Sequence, residues 1–270
     1  MITVLDGQWL RKAKARTAGD TWVDDVLGSI DAGGGVYLST LRAWFDEFPL
    51  RGNKNKRAFK ARIESFANED HLGAVNEVSW WKFMERTGLE GIPLQPSKTA
   101  RPDFYITSPS EFFCEVSTLN VSDNDKRSFR RCQGIDLDHR STMKRLLLKV
   151  TREKQTQIAY GAQKHIPSVL VLFDYTTWSG FATEFYRYLA KLLLGSEGVL
   201  SLLPKDLSAL VYIERKVLDG RIVLSRDRSA VYYNPSARHA LPFGTLPTLI
   251  QFSNGIVEVR PNIPEPWWQL

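Results

Sequence analysis

The chain has 270 residues, 43% of them hydrophobic and 24% charged, with 8 Trp and 14 Phe. This composition excludes a disordered or low-complexity protein and is sufficient for a sizeable core, organised as one domain with additions. The net charge of +6 and a pI near 9.3 favour an anionic partner, nucleic acid first.

The opening MITVLDGQWLRKAKART carries its positive charges after a short apolar stretch, the reverse of a secretory signal. No run approaches ~18 apolar residues, so no membrane span is expected. Two cysteines, Cys114 and Cys132, make no disulfide framework, and a cytoplasmic, reducing location is the expectation. Residues 1–57 read as a helical or mixed extension. TWVDDVLGSI (21–30) and STLRAWFDEF (39–48) have helical spacing around the breaker DAGGG.

RGNKNKRAFKAR (51–62) then carries six positive charges and leads into a long helical region, broken near Asn68–Gly73 and stopping at Gly88. Within it Glu77 lies on or beside an apolar stripe that continues through Trp80 or Trp81 to Met84. LEGIPLQPSKTA marks at most a short edge strand. A strand pair follows at about 102–119, turned by TSPS. Residues 121–140 are polar and include the basic KRSFRR (126–131). A helix over 141–165 precedes the buried strand PSVLVLFDY, a helix at 181–196 and several C-terminal strands. Beyond Pro235 the expectation is irregular coil with one short strand, GIVEVRP. PEPWWQL, with Trp267 and Trp268, packs on the core or a dimer surface. Helices around a mixed sheet give an α/β fold, with a core at 58–180 and C-terminal elements at 181–270 packed on it.

Two acids stand out. Asp103 follows Pro102 at the mouth of one strand, and Glu115 sits inside the next, in FFCEVST. Both faces of that strand are apolar, so Glu115 needs a cation, a proton or hydrogen-bond donors. A divalent metal shared with Asp103 meets that need, and hard oxygen ligands suit Mg²⁺ or Mn²⁺. The alternative has Asp103 capping a turn and Glu115 paired with an arginine such as Arg101. On the following helix Lys154 falls in the apolar stripe with Met143, Leu147 and Val150. Its stem either snorkels or its ammonium reaches the carboxylates, and Gln157, one turn on, faces the same space. Four scattered histidines show no zinc spacing.

Taken together, Glu77, Pro102–Asp103 and Glu115–Val116–Ser117 resemble the signature of the PD-(D/E)XK nuclease superfamily, the restriction-endonuclease-like fold. Its members carry an acid on the first helix, an Asp after Pro, and an acid-x-Lys. Ser117 occupies the usual lysine position. Lys154-Gln-Thr-Gln157, just before an apolar strand, looks like the variant in which the lysine has moved to the helix. The resemblance covers residues 58–175. It implies metal-dependent phosphodiester hydrolysis, usually of DNA and as an endonuclease. Glu77, Asp103 and Glu115 would serve the metal, with Lys154 and Gln157 assisting. It further implies that Lys54, Lys56, Arg57 and Lys60, together with Lys126, Arg127, Arg130 and Arg131, flank the cleft and hold backbone phosphates. A homodimer or a partner subunit is compatible with the remaining segments. The competing readings are a nuclease fold that binds nucleic acid without cutting, and a protein-interaction scaffold.

Overall fold

A computed structural model describes residues 2–15, 34–95, 97, 99–119, 139–174, 185–194, 202–218, 220–253, 257–261 and 267–269. The expected helix at 21–30 lies outside them, as does all of the polar segment except its last two residues. Among the described residues four helices come first: α1 (Gly7–Lys14), α2 (Gly34–Glu47), α3 (Asn53–Ile63) and α4 (Asn68–Thr87). The break in the basic helical region falls at 64–67, not at Asn68–Gly73. There Ser65 Oγ accepts the Ala67 amide and donates to Asp70, and Glu69 and Asp70 favour the helix N-terminus that follows. Polar residues that looked like a break are the first turn of α4. Gly88 ends that helix in the left-handed conformation, as its position implied.

Three antiparallel strands follow, β1 (Glu90–Pro93), β2 (Phe104–Ser108) and β3 (Phe112–Leu119). Next come α5 (His139–Leu148), a π-helical turn at Lys149–Glu153 and α6 (Gln155–Gln163). The strand β4 (Ser168–Asp174) runs parallel to β3 on one side and to β5 (Ala209–Leu218) on the other. After α7 (Phe185–Leu194), the strands β6 (Arg221–Ser225), β7 (Ala230–Tyr233), β8 (Ile250–Ser253), β9 (Val257–Val259) and β10 (Trp267–Gln269) complete a ten-stranded mixed sheet. Its main order is β1-β2-β3-β4-β5-β7-β8-β9, with β6 pairing β5 and β10 pairing β6. The C-terminal strands therefore continue the sheet of the core. β8 and β10 were not expected from the sequence. No helix among the described residues is long and apolar enough to cross a membrane.

Helices cover both faces. On β4, Val169, Val171 and Phe173 join the core under α1–α4, while Leu170 and Leu172 join the core under α5–α7. Burial on both faces explains why this central parallel strand is apolar throughout. Each large side chain so buried contributes about 1.5–3 kcal/mol.

The expected helix at 141–165 is thus interrupted. Lys154 N donates to Lys149 O, five residues back, at 2.9 Å. In an unbroken α-helix, Val150 and Ile158 would diverge by about 80° around the axis. One wider turn takes up the difference, so both stay buried against the sheet with Lys154 between them. Downstream, α6 lies so close to β4 that a Cβ on Gly161 would come within 2.1 Å of Ser168 Oγ and 2.7 Å of Ile166 O. That contact fixes the distance between the helix and the sheet. Gly161→Ala should cost about 1–3 kcal/mol by overpacking, read as a lower denaturant midpoint with an unchanged m-value.

Candidate active site

The hairpin places both acids. β2 begins at Phe104, opposite Cys114, whereas β3 continues to Leu119. Where its neighbour stops, the β3 backbone needs another acceptor. Asp103 supplies it, its Oδ2 accepting the Val116 amide at 2.8 Å. The expected capping role is real, but it caps a strand edge. Beyond that bond Ser117, Thr118 and Leu119 line an open cleft.

Glu115 is only 5% exposed and points to the α6 face of the sheet. Its partner is Lys154, whose Nζ lies 2.6 Å from Oε1. The lysine therefore reaches the carboxylates and does not snorkel, and Arg101 is not the partner of Glu115. Glu77 reaches the same cleft from α4 on the other face, where it is ion-paired with Arg62 of α3. Gln157 lines the cleft one turn beyond Lys154, and its Oε1 is buried with no hydrogen-bond partner.

These groups perturb one another. Burial pushes the Asp103 carboxyl well above the usual carboxylate range, helped by the charges of Glu115 and Glu77 and opposed by the Val116 amide and Lys154. Burial likewise raises Glu115, against the pull of Lys154. Burial works against the Lys154 ammonium, but Glu115, Asp103 and Glu77 outweigh it and keep the lysine charged. Three carboxyl groups thus crowd two paired cations, Lys154 and Arg62, which favours the protonated form of Asp103. A hard divalent cation could take that proton's place. Asp103 and Glu115 fit such an ion in donor type and charge, and the unpartnered Gln157 Oε1 could accept a hydrogen bond from water beside it. Glu77 fits only if Arg62 releases it. Among the described residues no three of His, Cys, Asp and Glu already stand in chelating positions.

The cleft measures about 780 Å³, and Arg62, Arg101, Arg145, Lys149 and Lys154 bring cations to its wall beside Glu69 and Glu153. The expected phosphate contacts are largely elsewhere. Lys54 and Arg57 are exposed and Lys56 is half-buried on α3, none of them lining the cleft. Lys60 is bound to Thr3 O at 2.5 Å and to Glu64 at 2.7 Å, which commits it to the N-terminal segment. The reason is the orientation of α3. Burial of Phe59 and Ile63 turns Arg62, not Lys60, toward Glu77. Lys126, Arg127, Arg130 and Arg131 lie outside the described residues. Arg62, inside the basic run 51–62 expected to flank the cleft, does line it, whereas sequence reasoning missed Arg145 and Lys149. Their four-residue spacing, one turn ahead of Lys154, was the signal available.

The raised Asp103 pKa has a definite sign. The folded protein holds this proton more tightly than the unfolded chain, so the group's contribution is most favourable at acidic pH. It is lost as pH rises through the folded pKa. Asp103→Asn keeps an acceptor for Val116 and removes the charge. Its melting temperature should exceed that of the native protein at neutral and alkaline pH. The gap should close as pH falls toward about 4, and calorimetric scans across this range measure it.

Comparison with known proteins finds no matching family model, no matching curated protein and no matching solved structure.

Proposed function

We propose that this protein is a metal-dependent nuclease of the PD-(D/E)XK type, with a restriction-endonuclease-like core. It hydrolyses phosphodiester bonds, with DNA as the favoured substrate and Mg²⁺ or Mn²⁺ as cofactor. The observation that carries the reading is the Lys154–Glu115 contact at 2.6 Å, beside Asp103 in an open cleft. A lysine arrives from the helix where Ser117 of the strand provides none. The element order α4, β1–β3, α5–α6, β4 supports the same reading.

In this mechanism Asp103 and Glu115 would hold the cation, and Glu77 would serve it only if Arg62 released its carboxylate. A divalent ion bound there would polarise the phosphodiester and lower the pKa of a bound water. Lys154 stays protonated and offsets charge that builds on the phosphate. Gln157 Oε1 would orient the attacking water by accepting a hydrogen bond from it. Arg101, Arg145 and Lys149 draw the backbone into the cleft and fix its register.

A second reading is supported by the pairing already present. Arg62 occupies Glu77 and Lys154 occupies Glu115, as expected of a fold that binds nucleic acid with its ionic core locked. Cleavage assays separate the two, using single- and double-stranded DNA and RNA with Mg²⁺ or Mn²⁺. The nuclease reading expects metal-dependent cutting, no detectable cutting by Asp103→Ala, and a loss of about 10²–10³-fold in Lys154→Ala. Equal cutting by the native protein and Asp103→Ala would dismiss the site. Binding without cutting on every substrate would leave the second reading in place.

A further inference from the structure

Beside the reaction cleft lies a smaller pocket of about 270 Å³. The two share Arg62, Glu77, Arg101 and Asp103, so the smaller pocket abuts the carboxylates directly. Phe48, Phe59, Leu94 and Phe104 give it an apolar lining.

Two side-chain amides on the same wall are held in fixed orientations. Asn55 Nδ2 donates to Arg51 O at 2.9 Å and to Gln95 Oε1 at 2.7 Å, and Gln95 Oε1 also accepts the Arg51 amide at 3.3 Å. A backbone carbonyl can only accept and a backbone amide can only donate. These bonds therefore decide which end of each side chain is oxygen and which is nitrogen. They leave Asn55 Oδ1, an acceptor, and Gln95 Nε2, a donor, without partners among the described residues. A spare acceptor and a spare donor on the wall of a partly apolar pocket suit a planar group carrying the complementary pair on its edge. Nucleobases carry such edges. Where the pocket meets the cleft, Arg101 Nε is buried with no hydrogen-bond partner. A guanidinium in that position suits a phosphate.

We propose that the smaller pocket is a nucleobase subsite, which takes one unpaired base of the bound strand while Arg101 holds the phosphate linking that base to the cleft. The inference rests on the nuclease reading and narrows its substrate. Pockets that enclose whole small ligands measure roughly 300–1,000 Å³, so this one admits a single base and not a base pair. A base within a duplex is stacked and paired and does not reach it without being extruded. The substrate is therefore single-stranded DNA, or a duplex with an unpaired nucleotide beside the cut.

Fluorescence anisotropy of the full chain in EDTA tests this without cleavage. Three labelled probes suffice: a short single strand, the same strand with abasic sites through its central stretch, and its blunt duplex. The base-bearing strand should bind about tenfold more tightly than the abasic one, and more tightly than the duplex. In Asn55→Leu, and independently in Ala58→Trp, the ratio of base-bearing to abasic affinity should fall toward one. Ala58 is an exposed residue of α3 on the pocket wall, so a tryptophan there fills the space without entering the core. Equal affinity of the native protein for both single strands, or preference for the duplex, overturns the subsite. Mg²⁺-dependent cutting of the same probes separates the two ideas. Cutting that ignores the missing bases removes the subsite and keeps the nuclease. Base-dependent binding with no cutting keeps the subsite and removes the nuclease. Neither binding nor cutting removes both.

Discussion

An ionised carboxylate in the middle of a wholly buried strand is tolerable only with a counter-charge. All eight residues of β3 are buried, and Glu115 is the fourth of them. Leaving such a group unpaired costs several kcal/mol, and a single hydrogen bond to a neutral donor does not offset that. Lys154 meets the requirement, and in doing so it ties the helical layer on one face of the sheet to the strand at the cleft. Asp103 adds a second acid to the same small volume, and Glu77 a third. The excess of negative charge is not an accident of surface composition. It is built into the hairpin, whose backbone uses Asp103 as the acceptor that terminates a strand pair.

The cleft lies where it does because two neighbouring strands differ in length. β3 outruns β2 by several residues, leaving an edge that no strand among the described residues covers. α4 stands over one face of that edge and α5–α6 over the other, so side chains from both layers meet around it. The arrangement sets Asp103, Glu115 and Glu77 against Lys154 and Arg62, with Arg101, Arg145 and Lys149 on the same wall beside Glu69 and Glu153.

Some of this was legible in the residues. Pro102–Asp103 at a strand mouth, and an acid embedded in an apolar alternation, drew attention to the hairpin. A lysine within an apolar helical stripe pointed to a buried partner for Lys154. Other features were hidden for physical reasons. Counting positive charges in 51–62 does not say which way α3 faces, and that orientation is decided by Phe59 and Ile63 packing beneath it. Hence Lys60 turned to the N-terminal segment while Arg62 turned to the cleft. The break ahead of α4 was displaced because acids favourable to a helix start resemble residues that end one. β8 and β10 are short segments with no periodicity of their own long enough to show them, and each pairs with a strand distant in sequence, β8 with β7 and β10 with β6. Nothing in KVTRE announces a π-helical turn, since the defining bond runs between backbone atoms.

That turn makes the position of the lysine a matter of chain length as much as of side-chain identity. Between two well-packed α-helical stretches, Lys149–Glu153 spends one residue more than a regular turn requires. The surplus keeps α5 and α6 in phase on the same sheet while rotating Lys154 into line with Glu115. Descendants of this sequence can therefore exchange many residues in the turn and keep the ammonium in place. Losing or gaining a single codon there would force a choice between the hydrophobic contacts of one helix and the charge pair of the other. The position of the ammonium thus depends on the number of residues between two packed faces, a quantity that residue types alone do not register.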